Sequence, residues 1–377
     1  MSNNSVGDRL ANYFELSAKI AQLDSQKLRS LLSNSELKLG WGLTDTITVG
    51  QCQVFVKRIP ITQLEYDNLF STKNLYHLPT YFNYGLGSAG LGVAGLNVFR
   101  ELITHIKTTQ WVLEGASAAF PLMYHYRIVP YSGLPTEIDK GCHKEFVAYW
   151  GNHENTGTYM LERANARYEL VLFLEYLPQT LATWLQHHPH TLPKVLDNLR
   201  EIIAFLGAKG VIHFDAHFRN ILTDGKQLYL TDFGLALDQS FALSEHERAF
   251  FETHRLYDYC EIFRNVGHMV QWHYDSCSQQ AKRSIRIMCG IKDNTERYEL
   301  ATLLLANLGQ IHTNNTMDFG AYWVAVVVRY CSVILLIRNF FFDIWGNTKK
   351  DTKFPHKTLQ QLLTETGFLT KTADSYR

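Results

Sequence analysis

Five stretches of alternating or continuous apolar residues predict short β-strands in the first half of the chain. These stretches are residues 36–42, 44–49, 52–59, 120–129 and 168–175. The first three follow one another closely, which is typical of neighbouring strands joined by short turns. A small sheet is therefore expected in the N-terminal half of the chain.

Helical spacing of apolar residues predicts the remaining elements. Apolar residues at positions 99, 102, 103 and 106 predict a helix from 99 to about 113. A long helix is expected over 192–209, with Gly210 as its stop signal. Residues 1–35 are expected to form a helical extension, and residues 266–377 are expected to be helical. The fold class that these elements predict is α+β.

Two polar motifs follow the predicted long helix. Residues 211–222 read Val-Ile-His-Phe-Asp-Ala-His-Phe-Arg-Asn-Ile-Leu, and residues 230–236 read Leu-Thr-Asp-Phe-Gly-Leu-Ala. Two apolar runs between the motifs are separated by residues 223–226, Thr-Asp-Gly-Lys, which predicts a tight hairpin with its glycine at positive φ. Such a hairpin brings Asn220 and Asp232 to the same end of a strand pair.

The carboxylates and the amide of these motifs suit phosphoryl transfer from ATP. Catalysis of that reaction depends on positioning, on neutralisation of charge by Mg²⁺, and on a carboxylate that faces the acceptor hydroxyl. Asp215 stands where that carboxylate is needed, and Asn220 and Asp232 offer oxygen ligands to Mg²⁺. The segment resembles the catalytic and metal-binding loops of the protein kinase-like superfamily, which includes bacterial-type protein kinase-like and aminoglycoside phosphotransferase-like proteins.

The resemblance implies a two-lobed protein kinase-like fold, with a small antiparallel-sheet lobe and a mostly helical large lobe. The small lobe would cover residues 36–176, with a glycine-rich insertion at 85–95, and the large lobe would cover residues 177–377. ATP and Mg²⁺ are the cofactors that it implies, and the γ-phosphoryl group would pass to a hydroxyl acceptor.

The resemblance also assigns roles to charged residues of the small lobe. Lys57 ends an apolar strand and matches the lysine that binds the α- and β-phosphates of ATP. Its expected ion-pair partner is Glu101 on the predicted helix, and Glu65, on a helical stretch at 61–70, is the alternative partner. Lys107 is an alternative for the phosphate lysine itself.

Two glycine-containing segments compete for the phosphate-covering turn. Gly40 and Gly42 precede the strand of Lys57 and match that turn, although Asp45 occupies the place of the family's third glycine. Residues 85–95 carry a better Gly-x-Gly-x-x-Gly pattern, but a helical stretch follows them where the phosphate lysine requires a strand. We therefore assign the turn to Gly40 and Gly42 and interpret residues 85–95 as an insertion.

Other segments match the family by position. The backbone near Glu175 and Leu177 resembles the hinge and is expected to bind adenine. His213 is expected to be a structural member of the catalytic loop, and Asp258 is expected to hydrogen-bond to the backbone of that loop. No Ala-Pro-Glu sequence follows Asp-Phe-Gly, so the resemblance extends over residues 36–265.

The identity of the acceptor is left open by the catalytic loop. Phe214 and His217 stand where protein kinases usually carry arginine and lysine, and the pattern His-x-Asp-x-His-x-x-Asn resembles small-molecule phosphotransferases. Because Asp-Phe-Gly and the hinge look more like protein kinases, a protein Ser/Thr acceptor is expected, with a small molecule as the alternative. For a cationic small molecule, the candidate anchors are Glu245, Glu247 and Glu252.

Two further expectations concern regulation and activity. The missing arginine is the usual receptor of an activation-loop phosphate, so regulation by such a phosphate is not expected. A pseudokinase scaffold is the third hypothesis for function, because the glycine loop is imperfect and activation-segment landmarks are missing.

Composition argues against several other classes of protein. The 377 residues include 36 basic and 36 acidic side chains, so charge predicts neither nucleic-acid nor membrane binding. The six cysteines form no Cys-x-x-Cys pair, which argues against a structural zinc site or a disulfide framework and favours the cytoplasm. No targeting segment is expected at the N-terminus. The apolar run at 321–337 has Arg329 in its middle and is expected to be a buried helix.

Overall fold

The computed structural model describes residues 6–33, 43–85, 95–131, 137–317 and 320–369. The fold is mixed α+β, with a small antiparallel sheet and a mostly helical remainder. The chain forms two compact units. The first unit comprises Met1–Gln179, His213–Asp215 and Leu222–Phe250, and the second unit comprises Thr180–Ile212, Ala216–Ile221 and Phe251–Arg377.

The first half of the chain contains the main sheet and several helices, of which α1, α4 and α6 contact its strands. Its elements are α1 (Val6–Ala21), α2 (Ser25–Ser33), β1 (Leu43–Val49), β2 (Cys52–Ile61), α3 (Gln63–Tyr66), a 3-10 helix (Thr80–Tyr84), α4 (Val98–Leu113), β3 (Met123–Pro130), α5 (Lys140–Tyr149), α6 (Glu154–Ala164) and β4 (Tyr168–Glu175). The sheet is antiparallel and has the order β1-β2-β4-β3. The four strands expected from residue 44 onward are confirmed, and the stretch at 36–42 lies outside the described residues.

Strand β2 is an inner strand of this sheet. It pairs with β1 and with β4, so that Lys57 lies opposite Thr44 on one side and Leu172 on the other. Hydrogen bonding on both edges holds the backbone of an inner strand more firmly than that of an edge strand. The position of the Lys57 backbone is therefore well defined.

Helix α4 packs on one face of the sheet through a buried apolar cluster. The cluster consists of Ile59, Ile61, Val98, Phe99, Leu102, Met123, Leu170, Leu172 and Leu174. The helix begins at Asn97, whose side chain accepts a hydrogen bond from the Phe99 N–H at 2.9 Å, a normal N-cap. The helix expected from 99 to 113 is therefore confirmed as Val98–Leu113, and Glu101 lies in its first turn.

The chain then runs through short strands and several helices. These elements are β5 (Gln179–Thr180), α7 (Leu181–His187), a 3-10 helix (Pro189–Thr191), α8 (Leu192–Ala208), β6 (Val211–Ile212), β7 (Ile221–Thr223), β8 (Leu228–Leu230), β9 (Leu237–Asp238) and α9 (Glu245–Thr253). The long helix expected here is confirmed as α8, and Gly210 follows it with φ 73°.

The predicted hairpin is also present. Strands β7 and β8 are neighbours in one sheet, and Gly225 has φ 90°. The side chain of Asp224 accepts hydrogen bonds from the N–H groups of Lys226 and Gln227, at 2.9 and 2.8 Å. These contacts close the loop in the way that Asp and Gly favour in tight turns.

The C-terminal part of the chain is helical, as expected. Its helices are α10 (Tyr257–Ser276), α11 (Gln279–Met288), α12 (Arg297–Ala306), α13 (Leu308–Thr313), α14 (Ala321–Arg329), α15 (Cys331–Gly346) and α16 (His356–Glu365). Helix α10 packs against α8, α12 and α15 inside the second unit. Its residues Ile262, Phe263 and Val266 are fully buried.

The apolar run at 321–337 forms two helices where the sequence predicts one. Tyr330 ends α14 with φ −103° and ψ 14°, and the axes of α14 and α15 differ by 65°. The guanidinium of Arg329 donates to the Thr366 carbonyl at 2.9 Å, so its charge lies at a helix end. Within the described ranges, no single helix is long and apolar enough to cross a membrane, and α14 and α15 meet that criterion only as a bent pair.

Candidate active site

Lys57 lies between two carboxylates in the first unit. Its Nζ donates to Oε1 of Glu101 at 2.6 Å and to Oδ1 of Asp232 at 2.7 Å. The three side chains come from β2, from α4 and from the loop after β8. The side chain of Glu101 is buried, that of Lys57 is 14% exposed, and that of Asp232 is 42% exposed. Asp232 therefore has room for a further ligand.

The charges of this group are coupled. Burial would lower the pKa of Lys57, but the carboxylates of Asp232 and Glu101 outweigh it and raise the pKa above its usual value. The partial burial of Asp232 would raise its pKa, but the Lys57 ammonium outweighs this effect and lowers the pKa to about 2. The pKa of Glu101 is raised, because burial exceeds the opposing effect of Lys57. Lys57 and Asp232 are therefore both charged near neutral pH.

The alternatives for this ion pair have other partners. Glu65 accepts a hydrogen bond from the Arg163 guanidinium at 2.8 Å and another from the Val98 N–H at 3.0 Å. Lys107 lies on α4 and pairs with Asp238. Glu101 is thus the glutamate that contacts Lys57.

His213 connects the Asp215 loop to the strand before Asp232. Its Nδ1 accepts the Asp215 N–H at 3.2 Å, and its Nε2 lies 2.9 Å from the carbonyl oxygen of Thr231. These contacts require a neutral imidazole with its proton on Nε2, which donates to Thr231. His213 is fully buried, so it fixes the backbone of Asp215, as the sequence predicts for a structural histidine.

The backbone is strained at both motifs. Phe214 has φ 64° and Asp232 has φ 65°. Left-handed backbone costs a residue with a side chain roughly 1–3 kcal/mol, and it is rare for a bulky residue such as Phe. The Phe214 ring stacks on Phe250 at a centroid distance of 5.5 Å, a contact that helps to hold it there. Such strain is typical of functional sites, and here it adjoins Asp215 and lies at Asp232 itself.

The rest of the loop lies in the second unit. The Asn220 N–H donates to the His217 carbonyl at 2.8 Å, which makes a tight turn. The Phe218 N–H donates to Oδ1 of Asn265 on α10 at 3.4 Å. Asn265 therefore supports this loop, a role that the sequence suggests only for Asp258. Asp258 is buried in the first turn of α10.

The hinge segment follows β4. The Glu175 N–H donates to the Leu122 carbonyl at 2.8 Å, so this donor is already used and is not available to adenine. Leu177 is half-buried two residues later. Gly40 and Gly42 lie outside the described residues, as does most of the segment 85–95.

Two of the three glutamates that are candidate anchors for a cationic acceptor form ion pairs with arginines. In the first unit Glu247 pairs with Arg100 at 2.6 Å, with both side chains 2% exposed. In the second unit Glu252 pairs with Arg255 at 2.7 Å. An acidic pocket formed by all three glutamates is therefore not supported, and Glu245 alone remains a candidate.

Sequence reasoning missed a buried histidine of the site. His105 lies one helical turn after Glu101, with Nε2 3.9 Å from Oε1 of Glu101, and its ring meets the edge of Phe233 at 4.9 Å. The spacing of four residues from Glu101 is a signal that could have found it, because residues i and i+4 share a helix face.

The donor set of Asp232 fits a hard cation. Mg²⁺ binds through one or two carboxylates together with water and phosphate oxygens, and a partly exposed carboxylate with a pKa of about 2 meets that requirement. In the part of the chain that is described, no group of three or more His, Cys, Asp or Glu side chains is arranged to hold a metal. No protein-family model matches this chain, and no curated protein matches it.

Proposed function

We propose that the chain is an ATP- and Mg²⁺-dependent phosphotransferase of the protein kinase-like superfamily that moves the γ-phosphoryl group to a hydroxyl acceptor. The observation that supports this most is the Lys57 ammonium held between Glu101 and Asp232. A triphosphate needs a fixed cation for its α- and β-phosphates and a hard carboxylate for the accompanying Mg²⁺. This group offers both.

Each residue of the group has a role in the proposal. Lys57 binds the α- and β-phosphates, and Glu101 orients its ammonium. The backbone of Asp215 is fixed by His213, and its carboxylate accepts the proton of the acceptor hydroxyl. The hydroxyl oxygen bonds to the γ-phosphorus while the bond between the γ-phosphorus and the bridging oxygen of the β-phosphate breaks. Bound Mg²⁺ supplies neutralisation of the phosphate charge. Asp232 would hold it, and Asn220 stays a prediction from the sequence as a second ligand.

A protein Ser/Thr hydroxyl is the acceptor we propose. The alternative, a cationic small molecule, is weakened because Glu247 and Glu252 already pair with arginines. A pseudokinase scaffold has no need of a strand lysine in contact with both a helix glutamate and a partly exposed aspartate. The contact of Lys57 with both carboxylates therefore favours an active enzyme.

Transfer from γ-labelled ATP with Mg²⁺ tests the proposal. The wild-type chain and the variant Asp215→Asn are each incubated with host lysate, and label is measured in separated protein and small-molecule fractions. We expect label in protein that falls by about 10²- to 10⁴-fold in the variant, the usual contribution of an acid–base residue. The matched control is Asp197→Asn, which alters an aspartate whose side chain is 60% exposed on α8.

Three results would change the assignment. Equal turnover by Asp215→Asn and wild type would show that Asp215 has no role in proton transfer. Asp215-dependent label found only in small molecules, beyond phosphate released by hydrolysis, would replace the protein acceptor with a small one. Absence of Asp215-dependent label in both fractions, with ATP binding retained, would favour the scaffold.

A further inference from the structure

The N-terminal helix α1 places a buried cation beside the hinge. Arg9 on this helix is only 5% exposed, and an arginine that is buried to this degree needs partners for its charge and its N–H groups. Its main partner is Glu175, the last residue of β4, whose side chain is 10% exposed. Helix α1 thus contributes to the interior of the first unit.

The guanidinium of Arg9 binds three different segments. Its Nε and Nη2 donate to the two carboxylate oxygens of Glu175 at 2.9 and 2.7 Å. Nη2 also donates to the Phe120 carbonyl at 2.9 Å, and Nη1 donates to the Ala118 carbonyl at 3.3 Å. The guanidinium carbon lies 5.0 Å from the centre of the Tyr229 ring on β8. A planar fork with several donors is required for this set, so lysine is not an equivalent replacement.

Glu175 is fixed by Arg9 on one side and by Leu122 on the other. Its Oε2 accepts the Leu122 N–H at 3.0 Å, and its own N–H donates to the Leu122 carbonyl at 2.8 Å. Burial would lower the pKa of Arg9, but the hydrogen bond and the charge of Glu175 outweigh it and raise the pKa. The contacts with Arg9 and Leu122 therefore fix the side chain and the backbone of Glu175, two residues before Leu177.

We propose that Arg9 is a positioning residue for the nucleotide. It acts through Glu175 and holds the backbone of residues 175–177 in the conformation that receives adenine, which makes α1 a part of the nucleotide site. This inference rests on the proposed function. Because Lys57 and Asp232 have their own ion pairs, loss of Arg9 affects recognition of adenine and leaves recognition of the phosphates in place.

Binding of two ligands by the full-length chain separates these effects. The ligands are Mg·ATP and Mg·tripolyphosphate, which lacks the adenine and the ribose, and their dissociation constants are measured by calorimetry. We expect Arg9→Ala and Arg9→Lys to bind ATP about tenfold more weakly, because the hinge is less preorganised, and to bind tripolyphosphate within about twofold of wild type. The KM for ATP rises accordingly, while kcat stays close to the wild-type value.

Two further variants serve as references. Lys19→Ala removes a cation from the exposed part of the same helix, where Lys19 pairs with Glu15, and it should bind both ligands as wild type does. Lys57→Met should bind both ligands more weakly, because Lys57 is assigned to the phosphates. Arg9→Lys keeps a positive charge at this position, so the two dissociation constants are measured on this variant if Arg9→Ala does not fold.

The outcomes distinguish this inference from the proposed function. Unchanged ATP affinity in a folded Arg9 variant would overturn the inference, and so would equal weakening of both ligands, which indicates general loosening of the unit. Failure of the wild-type chain to bind ATP would overturn the proposed function itself, together with the inference that rests on it.

Discussion

Glu65 and Glu101 are both buried residues of the first unit, yet they stabilise different parts of it. Glu65 accepts hydrogen bonds from Arg163 and from the N–H groups of Thr62 and Val98. It therefore ties α3, α4 and α6 together. Glu101 contacts Lys57, which also has Asp232 as a partner. Substitution of Glu65 should therefore affect mainly stability, whereas substitution of Glu101 should affect mainly the orientation of Lys57.

Substitution of the two glutamates by glutamine should separate stability from activity. Glu65→Gln leaves the buried charge of Arg163 without its carboxylate and should lower the free energy of unfolding by about 3 kcal/mol. In the proposed phosphotransfer reaction, Glu101→Gln should lower kcat/KM for ATP by about 10²-fold, because Lys57 loses one of the two groups that orient it. Urea unfolding and steady-state kinetics of both variants provide the measurements. A larger activity loss in Glu65→Gln than in Glu101→Gln would contradict the assignment.

His105 should make the stability of the protein dependent on pH. Burial, followed by the charge of Lys57, lowers the pKa of His105 to about 3 from its ordinary value of 6.5. The charged or titratable groups that face it are Lys57, Glu101, Asp232 and His213. Between pH 3 and 6.5, His105 is protonated in the unfolded chain and neutral in the folded chain. The contribution of His105 to stability is therefore complete above pH 6.5 and falls as the pH is lowered.

Replacement of His105 by leucine should remove this dependence. We expect the free energy of unfolding of wild type to fall more steeply with decreasing pH than that of His105→Leu, by up to about 1.4 kcal/mol per pH unit. Urea unfolding from pH 4 to 7 measures the difference. His190→Leu, at an exposed histidine, is the control and should follow wild type. Parallel curves for wild type and His105→Leu would show that His105 does not titrate in this way.

Helix α4 also holds the segment that follows Asp-Phe-Gly. Arg100 donates to Glu247 at 2.6 Å and to the Thr72 carbonyl at 2.8 Å. Lys107 pairs with Asp238, so two cations of one helix bind two carboxylates of this segment. Asp238 and Glu247 thus bind the cations of α4, and this contact does not require phosphorylation of the segment.

Removal of one of these carboxylates should loosen the segment. Glu247→Gln leaves the charge of Arg100 buried, and we expect a loss of about 3 kcal/mol of stability with faster amide hydrogen exchange over residues 238–250. The matched control is Glu245→Gln, at an exposed position of helix α9, which also carries Glu247. If exchange in the two variants is the same, the ion pair does not order the segment.

Helices and strands were predictable from the sequence where a local pattern specifies them. The helical period at 99–106, the Asp-Gly turn at 224–225 and Gly210 after α8 all act within a few residues, and each prediction is confirmed. The break between α14 and α15 was not predictable, because the apolar run continues through Tyr330. The pair of Arg9 and Glu175 is separated by 166 residues, and no local pattern indicates such a contact.

At the scale of the whole molecule, the two units are interleaved along the chain. The first unit takes back residues 213–215 and 222–250 after the chain has entered the second unit. These returning segments supply His213, Asp232 and Glu247 to its ion pairs and hydrogen bonds. This interleaving was not predictable from the sequence, because it depends on contacts between residues far apart in the chain, such as Lys57 and Asp232.

A fragment that ends at residue 179 should therefore not fold as an independent domain. It lacks Asp232 and Glu247, which leaves the cations Lys57 and Arg100 with fewer partners, and it lacks the Leu230 N–H that binds the Ala119 carbonyl at 2.9 Å. We expect circular dichroism of the fragment to show no cooperative thermal transition, whereas the full chain should show at least one. A sharp transition in the fragment would show that the returning segments are dispensable for folding.

The close approach of Gly95 to Gly234 has a consequence for recognising related proteins. A Cβ atom at position 95 would overlap the carbonyl oxygen of Gly234, the glycine of Asp-Phe-Gly, while the Gly95 carbonyl accepts the hydroxyl of Tyr159. Any descendant that keeps this backbone must retain glycine at position 95, although the residue lies far from the motif in sequence. A search for distant relatives can therefore combine two features, which are a glycine shortly before the helix that carries Glu101 and a later Asp-Phe-Gly sequence.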